Sequence, residues 1–337
     1  MASPRLISKF QSLSPVPNLR NSLTPRSFKT NNNYVKSPEN KNRLSPFNVN
    51  TPNRKEILLN GLPNKQRTVL GSGGFGTVYK ALYKGDIFIV LLLINLINRF
   101  TRDIGNQVAA KILKKSKNSD NTINSEKHAY FLRHANIVNI LSIEEGAALS
   151  LITMELCGIT LQDQLEKKCL DRKERINIWR DIACALQFCH NAGVVHADVK
   201  PKNILIGNCG QPKLTDFGSS VLISNVHTEQ TSHIMTSTPG YAAPEVLCGI
   251  IPSPAADIYS LGILAWQILS RKIPFEGLHV HTIIYLSVKG KRPSDEDLDD
   301  EFQGQYKSLY KEMWSQKMTA RPVASKVIYM LDILMNK

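Results

Sequence analysis

The chain has 337 residues, with 42 Lys and Arg against 28 Asp and Glu, for a formal charge of +14 at neutral pH. That length admits one large domain or two ordinary ones with a full buried core. Six cysteines without a single C-x-x-C pair argue against a disulfide scaffold or a zinc ribbon, and no amino-terminal apolar stretch resembles a signal peptide, so reduced thiols in a cytoplasmic protein are expected.

Charge is uneven along the chain. Residues 1–60 carry ten Lys and Arg against two Glu. This arm is dense in Ser, Asn, Pro and Lys and shows no apolar periodicity, so residues 1–64 are expected to form a disordered basic tail. Ser3, Ser14, Thr24, Ser37, Ser45 and Thr51 each precede a proline, the pattern of proline-directed phosphorylation. No aromatic-rich basic stretch accompanies the charge, so neither a nucleic acid nor a membrane partner is expected.

Ordered sequence is expected over 65–335. Leu70-Gly71-Ser72-Gly73-Gly74-Phe75-Gly76-Thr77-Val78 places glycines where a backbone must approach phosphates closely, then enters a β-branched strand. A strand after the glycines, not a helix, disfavours a dinucleotide fold. Lys84-Gly85-Asp86 reads as a hairpin turn whose return strand starts at Gln107, but Ile87 to Asn106 intervene. The run Ile87–Ile94 is too short to span a bilayer. A genuine insertion, a membrane-touching loop and a translated short intron all remain open for 87–106.

Ala109 and Lys111 then lie on a short apolar strand, and Glu126 falls in a helical stretch, 122–134, as a carboxylate able to pair with Lys111. Leu151 to Glu155 reads as a buried strand running into Leu156-Cys157, a hinge suited to a nucleotide base with Met154 guarding the back of the pocket. Residues 173–192 repeat apolar positions at helical spacing and deliver the chain to Val195-His196-Ala197-Asp198-Val199-Lys200-Pro201-Lys202-Asn203. Asp216-Phe217-Gly218 follows. In this order Asp198 suits an incoming hydroxyl, Lys200 suits the moving phosphoryl group, and Asn203 with Asp216 offers oxygen ligands to magnesium. Thr238 is placed to bridge Asp198 and Lys200. Ala255 to Leu269 is apolar nearly all round and reads as a buried helix, with Asp257 anchoring the catalytic loop and Arg321 paired with Glu245.

From Lys65 to about Leu334 the chain resembles eukaryotic protein kinases, and within them it is similar to the Mos serine/threonine kinases. The likeness rests on Leu70-Gly-Ser-Gly-Gly-Phe-Gly-Thr-Val-Tyr-Lys-Ala, Arg133-His-Ala-Asn-Ile-Val, Lys213-Leu-Thr-Asp-Phe-Gly-Ser-Ser and Pro254-Ala-Ala-Asp-Ile-Tyr-Ser-Leu-Gly. The resemblance implies an α+β, two-lobed fold: a small antiparallel-sheet lobe with one main helix over 65–155, and a mainly helical lobe over 156–335. It implies ATP and Mg2+ as cofactors. ATP contacts would come from Leu70 to Gly76, Val78, Ala109, Lys111, Met154, Glu155 and Cys157. It further implies a monomeric MAP kinase kinase kinase of oocyte maturation, with a MAP kinase kinase as substrate. A kinase of another cytosolic group and a non-catalytic scaffold remain alternatives. Ala197 departs from the common pattern, since most regulated kinases place an arginine there to grip a phosphate on the activation segment.

Overall fold

The computed structural model describes residues 69–73, 76–83, 106–114, 119–146, 149–167, 170–224, 237–296, 298, 302 and 304–336. The basic tail, the run 87–105, and Gly74 and Phe75 lie outside the described residues.

Five strands form one antiparallel sheet: β1 (Val69–Gly73), β2 (Gly76–Tyr83), β3 (Asn106–Lys114), β4 (Ile140–Glu145) and β5 (Leu149–Glu155), in the order β1-β2-β3-β5-β4. β3 is central and pairs Lys111 with Val78 on one side and Ile152 on the other. Strand periodicity puts Ala109, Lys111 and Leu113 on one face. The β2–β3 ladder begins at Tyr83↔Asn106, so Asn106, assigned from sequence to the interruption, belongs to the return strand.

Between β3 and β4 lies α1 (Ser119–His128), which packs on the turn Phe217–Ser219. It stops six residues short of the sequence expectation. Ala129, Tyr130 and Leu132 donate to carbonyls three residues back, and these tight turns end the α-helical ladder.

The larger lobe opens with α2 (Leu161–Lys167) and α3 (Arg172–Asn191). A capping box starts α3: Asp171 accepts from Glu174 N at 2.7 Å, and Glu174 accepts from Asp171 N at 3.0 Å. Short ribbons follow, β6 (Val194–Val195) with β9 (Val221–Leu222) and β7 (Ile204–Ile206) with β8 (Pro212–Leu214). Then come α4 (Pro244–Leu247), α5 (Pro254–Ser270), α6 (Val280–Val288), α7 (Gln305–Met313) and α8 (Ala324–Met335). α5 is buried continuously from Ala256 to Leu269 and packs against α3 and α7, as its all-round apolar sequence requires. Among the described residues no helix is long and apolar enough to cross a membrane.

The lobes are joined by more than the hinge. Leu214 N donates to Asn136 O at 2.8 Å and Val138 N donates to Leu214 O at 2.9 Å, so the chain leaving α1 is tied to β8. Arg321 donates to both oxygens of Glu245 at 2.6 and 2.8 Å, the pairing expected from sequence.

Candidate active site

Lys111 is buried to 6 % exposure, and its ammonium meets two carboxylates, Glu126 Oε1 at 2.5 Å and Asp216 Oδ1 at 2.8 Å. Burial alone would lower the Lys111 pKa; the charges of Glu126 and Asp216 outweigh it and hold the ammonium above its ordinary value. Burial also pushes Asp216 up, but Lys111 reverses this and leaves the carboxyl below its usual range. Burial dominates at Glu126 and raises it. Three groups 15 and 105 positions apart in sequence thus act as one charge cluster.

The backbone supports this cluster under strain. Asp216 sits at φ 63°, ψ 71°, the left-handed region that L-residues rarely adopt. Gly218 packs tightly: a Cβ there would lie 3.1 Å from Thr122 Cγ2 and 3.3 Å from Asp216 Oδ1, so these neighbours would have to give by a few tenths of an ångström. The glycine lets α1 approach close enough for Glu126 to reach Lys111.

Asp257 at the start of α5 fixes the catalytic loop through its main chain. Its carboxylate accepts from His196 N at 2.9 Å, from Ala197 N at 2.8 Å and contacts His190 Nε2 at 2.9 Å. Ala197 is held at φ 66°. His196 accepts from Asp198 N through Nδ1, so its proton resides on Nε2, which donates to Thr215 O at 3.0 Å. Its ring stands edge-on to Phe217, centroids 4.7 Å apart.

Four donors converge on Asp198. Thr238 N and Oγ1 donate to Oδ1 at 3.1 and 3.0 Å, and Lys200 Nζ and Asn203 Nδ2 donate to Oδ2 at 2.6 and 3.0 Å. Lys200 also donates to Thr238 Oγ1 at 2.6 Å, so that hydroxyl spans both residues. Thr215 N donates to Asn203 O at 2.9 Å, which ties the Asp216 strand to the Asp198 loop.

Oxygen ligands for a divalent cation are present. Asn203 commits its amide nitrogen to Asp198 O and Oδ2, which leaves the amide oxygen as the atom for a metal. Asp216 keeps a second carboxylate oxygen and 30 % exposure. Among the described residues no three His, Cys, Asp or Glu side chains form a cage. Two hard oxygen donors suit a magnesium-sized ion that takes its other ligands from phosphates and water.

At the hinge, Met154 is buried and pairs with Ala109 across β3 and β5. The Glu155 side chain is committed elsewhere: it accepts from Asn139 N at 2.7 Å and Lys213 Nζ at 3.0 Å, and its main-chain N–H donates to Asn139 O at 3.0 Å. Cys157 is half-buried, and burial with the Glu155 carboxylate pushes its thiol up to about 11. Leu70, Gly71, Ser72 and Gly73 lie on β1, with Gly76 and Val78 on β2.

One latch escaped the sequence reading. Ser220 donates to Ser125 O at 2.9 Å, so the 2.8 Å contact with His128 is donated by its Nδ1–H. It fastens the end of α1 to the segment after Asp216. No motif flags His128, because its partner is 92 positions away.

A family model described as "Protein kinase domain" matches residues 96–330. The chain is 34 % identical over 226 residues to the mouse proto-oncogene serine/threonine-protein kinase mos, covering 62 % of this chain and 61 % of that one. It is 32 % identical over 279 residues to the serine/threonine-protein kinase mos of Patiria pectinifera, covering 78 % and 73 %. A transforming mos protein of myeloproliferative sarcoma virus is 33 % identical over 225 residues, covering 62 % and 61 %. The chain therefore spans about three fifths of the length of the mouse and viral relatives. The two-lobed fold, the family match and these relatives agree: the chain belongs to the eukaryotic protein kinases and is Mos-like.

Proposed function

We propose that this chain is an ATP-dependent serine/threonine protein kinase that acts as a MAP kinase kinase kinase, phosphorylating a MAP kinase kinase during oocyte maturation and meiotic arrest. The observation that carries phosphotransfer is Lys111 held between Glu126 and Asp216 while Asp198 already binds a hydroxyl, that of Thr238, at 3.0 Å. Glu126 would hold Lys111 toward the nucleotide phosphates, and Asp198 would orient the acceptor serine. Lys200 would meet charge on the transferred group. Catalysis on this reading is mainly positioning and charge stabilisation. Asn203 and Asp216 would hold magnesium, which when bound neutralises phosphate charge. The glycine backbone of β1 and β2 would cover the phosphates, with Ala109, Met154 and the hinge through Cys157 lining the base.

The same reading takes 65–335 as a monomeric cytoplasmic kinase domain and 1–64 as a tail open to proline-directed kinases. Phosphate transfer from Mg–ATP to an inactive MAP kinase kinase tests it, using the full chain and a form lacking residues 87–105. Transfer that disappears in Lys111→Met and Asp216→Asn supports the proposal. Transfer that survives both substitutions overturns it.

A further inference from the structure

The end of α1 leaves a carbonyl without its helical partner, one residue before Glu126. Ala129 N turns to Glu126 O at 3.2 Å and Tyr130 N to Lys127 O at 3.1 Å. The helical ladder therefore stops at His128, and Ser125 O loses the donor four residues on. The chain after Asp216 supplies a replacement. Ser220 Oγ donates to Ser125 O at 2.9 Å and accepts from His128 Nδ1–H at 2.8 Å, and Ser220 is only 1 % exposed. Burial lowers the His128 pKa, so the donor is a neutral imidazole N–H.

This latch joins the two carboxylates that hold Lys111. Ser125 directly precedes Glu126, and Ser220 follows Asp216 across the turn Phe217–Ser219. The Ser220 N–H closes that turn on Phe217 O at 2.9 Å, and the Phe217 N–H bonds Glu126. A rotation of α1 that withdrew Glu126 from Lys111 would carry Ser125 O and His128 away from Ser220. The neighbouring tie is weaker: Lys127 pairs with Glu145 at 2.6 Å, but both are exposed, and such pairs contribute about 0–1 kcal/mol.

We propose that His128 and Ser220 are positioning residues for phosphotransfer, which cap α1 from the activation segment and hold Glu126 and Asp216 on Lys111 before nucleotide arrives. The inference rests on the kinase reading above and adds to it two residues outside the catalytic motifs. Both act through the Lys111 cluster.

Populations set the expected kinetics. When only a fraction of molecules is aligned, apparent nucleotide affinity falls by that fraction, while saturating Mg–ATP draws the protein back into alignment. Breaking the latch therefore raises KM for ATP and spares kcat. Damage to the fold instead removes active molecules and lowers kcat at unchanged KM.

The test uses the full chain as wild type, Ser220→Ala, His128→Leu, His128→Asn and Ser220→Ala/His128→Leu. Mg–ATP is varied with casein or an inactive MAP kinase kinase as acceptor. His128→Leu fills the space of the ring without a donor, and His128→Asn returns an N–H near the Nδ1 position. Ser220→Ala and His128→Leu are expected to raise KM for ATP about tenfold, the scale of a stranded buried partner, with kcat and acceptor KM within about twofold. His128→Asn should match wild type within about twofold, and the double variant should be no worse than Ser220→Ala alone. Equal KM for ATP in His128→Leu and wild type overturns the inference. So do equal losses in the two His128 variants, additive losses in the double variant, or a fall in kcat at unchanged KM. Where Ser220→Ala fails to fold, the two variants at half-buried His128 decide. A wild type that transfers no phosphate to either acceptor overturns the kinase reading itself, and the latch inference with it.

Discussion

Ser237 donates its hydroxyl to the main-chain carbonyl of Ala197, 2.9 Å away. Ala197 thus acts through its backbone alone, giving its N–H to Asp257 and its carbonyl to the activation segment. A neutral hydrogen bond stands where an arginine would otherwise require a phosphate.

Activity should therefore not depend on phosphorylation of that segment. Alanine at Thr228, Thr231, Ser232 and Thr236, which lie outside the described residues, is expected to leave kcat within about twofold. Ser237→Ala should weaken the docked segment by about 1 kcal/mol, the scale of one hydrogen bond. Steady-state assays of phosphatase-treated protein decide; a fall to background in the fourfold variant contradicts the idea.

The Lys111 cluster carries a pH signature. The lowered Asp216 contributes stability above its unfolded pKa that is lost as pH falls through its folded value. The raised Lys111 contributes below its own unfolded pKa and loses this only as pH rises through its folded value. Between these limits both contributions are constant. The raised Glu126 has the opposite sense to Asp216, and its charged form costs stability as pH rises. Lys111→Met strands that buried carboxylate, a loss of about 3–5 kcal/mol when it is charged. Protonation relieves the loss, so the Tm deficit of the variant should be larger at pH 8 than at pH 5.5. Thermal melts at the two pH values showing equal deficits would count against a charged Glu126.

Gly218→Ala should displace Asp216, because the new methyl meets Thr122 Cγ2 at 3.1 Å and Asp216 Oδ1 at 3.3 Å. The few tenths of an ångström by which these neighbours must give, so near the reacting groups, are expected to cut kcat by about fivefold. Thr122→Ser removes the closer obstacle and should restore part of the loss in the double variant. A double variant no faster than Gly218→Ala would place the cause in the backbone.

Cys157 should be a slow nucleophile at neutral pH. With its thiol pushed up to about 11, iodoacetamide labelling is expected to rise about tenfold per pH unit between 7 and 10. Glu155→Gln removes a carboxylate that raises the thiol and should speed labelling at pH 8. Peptide mass spectrometry of timed reactions gives the rates; a plateau by pH 9 contradicts the shift.

Legibility from sequence followed the range of the interactions. The glycine stretch, Lys111, the catalytic loop and Asp216-Phe217-Gly218 are local patterns, and spacing alone announced them. Element ends were less legible: α1 closes at His128, and β3 reaches back to Asn106, because tight turns and pairing register set these limits. The partners of the Glu155 side chain, Asn139 and Lys213, were illegible too, since no periodicity encodes such contacts.

What the sequence by itself determined is the family, the two-lobed class and the types of group at the site, since each is written in contiguous residues whose backbone needs are local. Only the tertiary structure decided that Ser220 latches His128 and that Gly218 is a spacing requirement. These depend on distances between segments far apart in the chain, and only packing of the core fixes such distances.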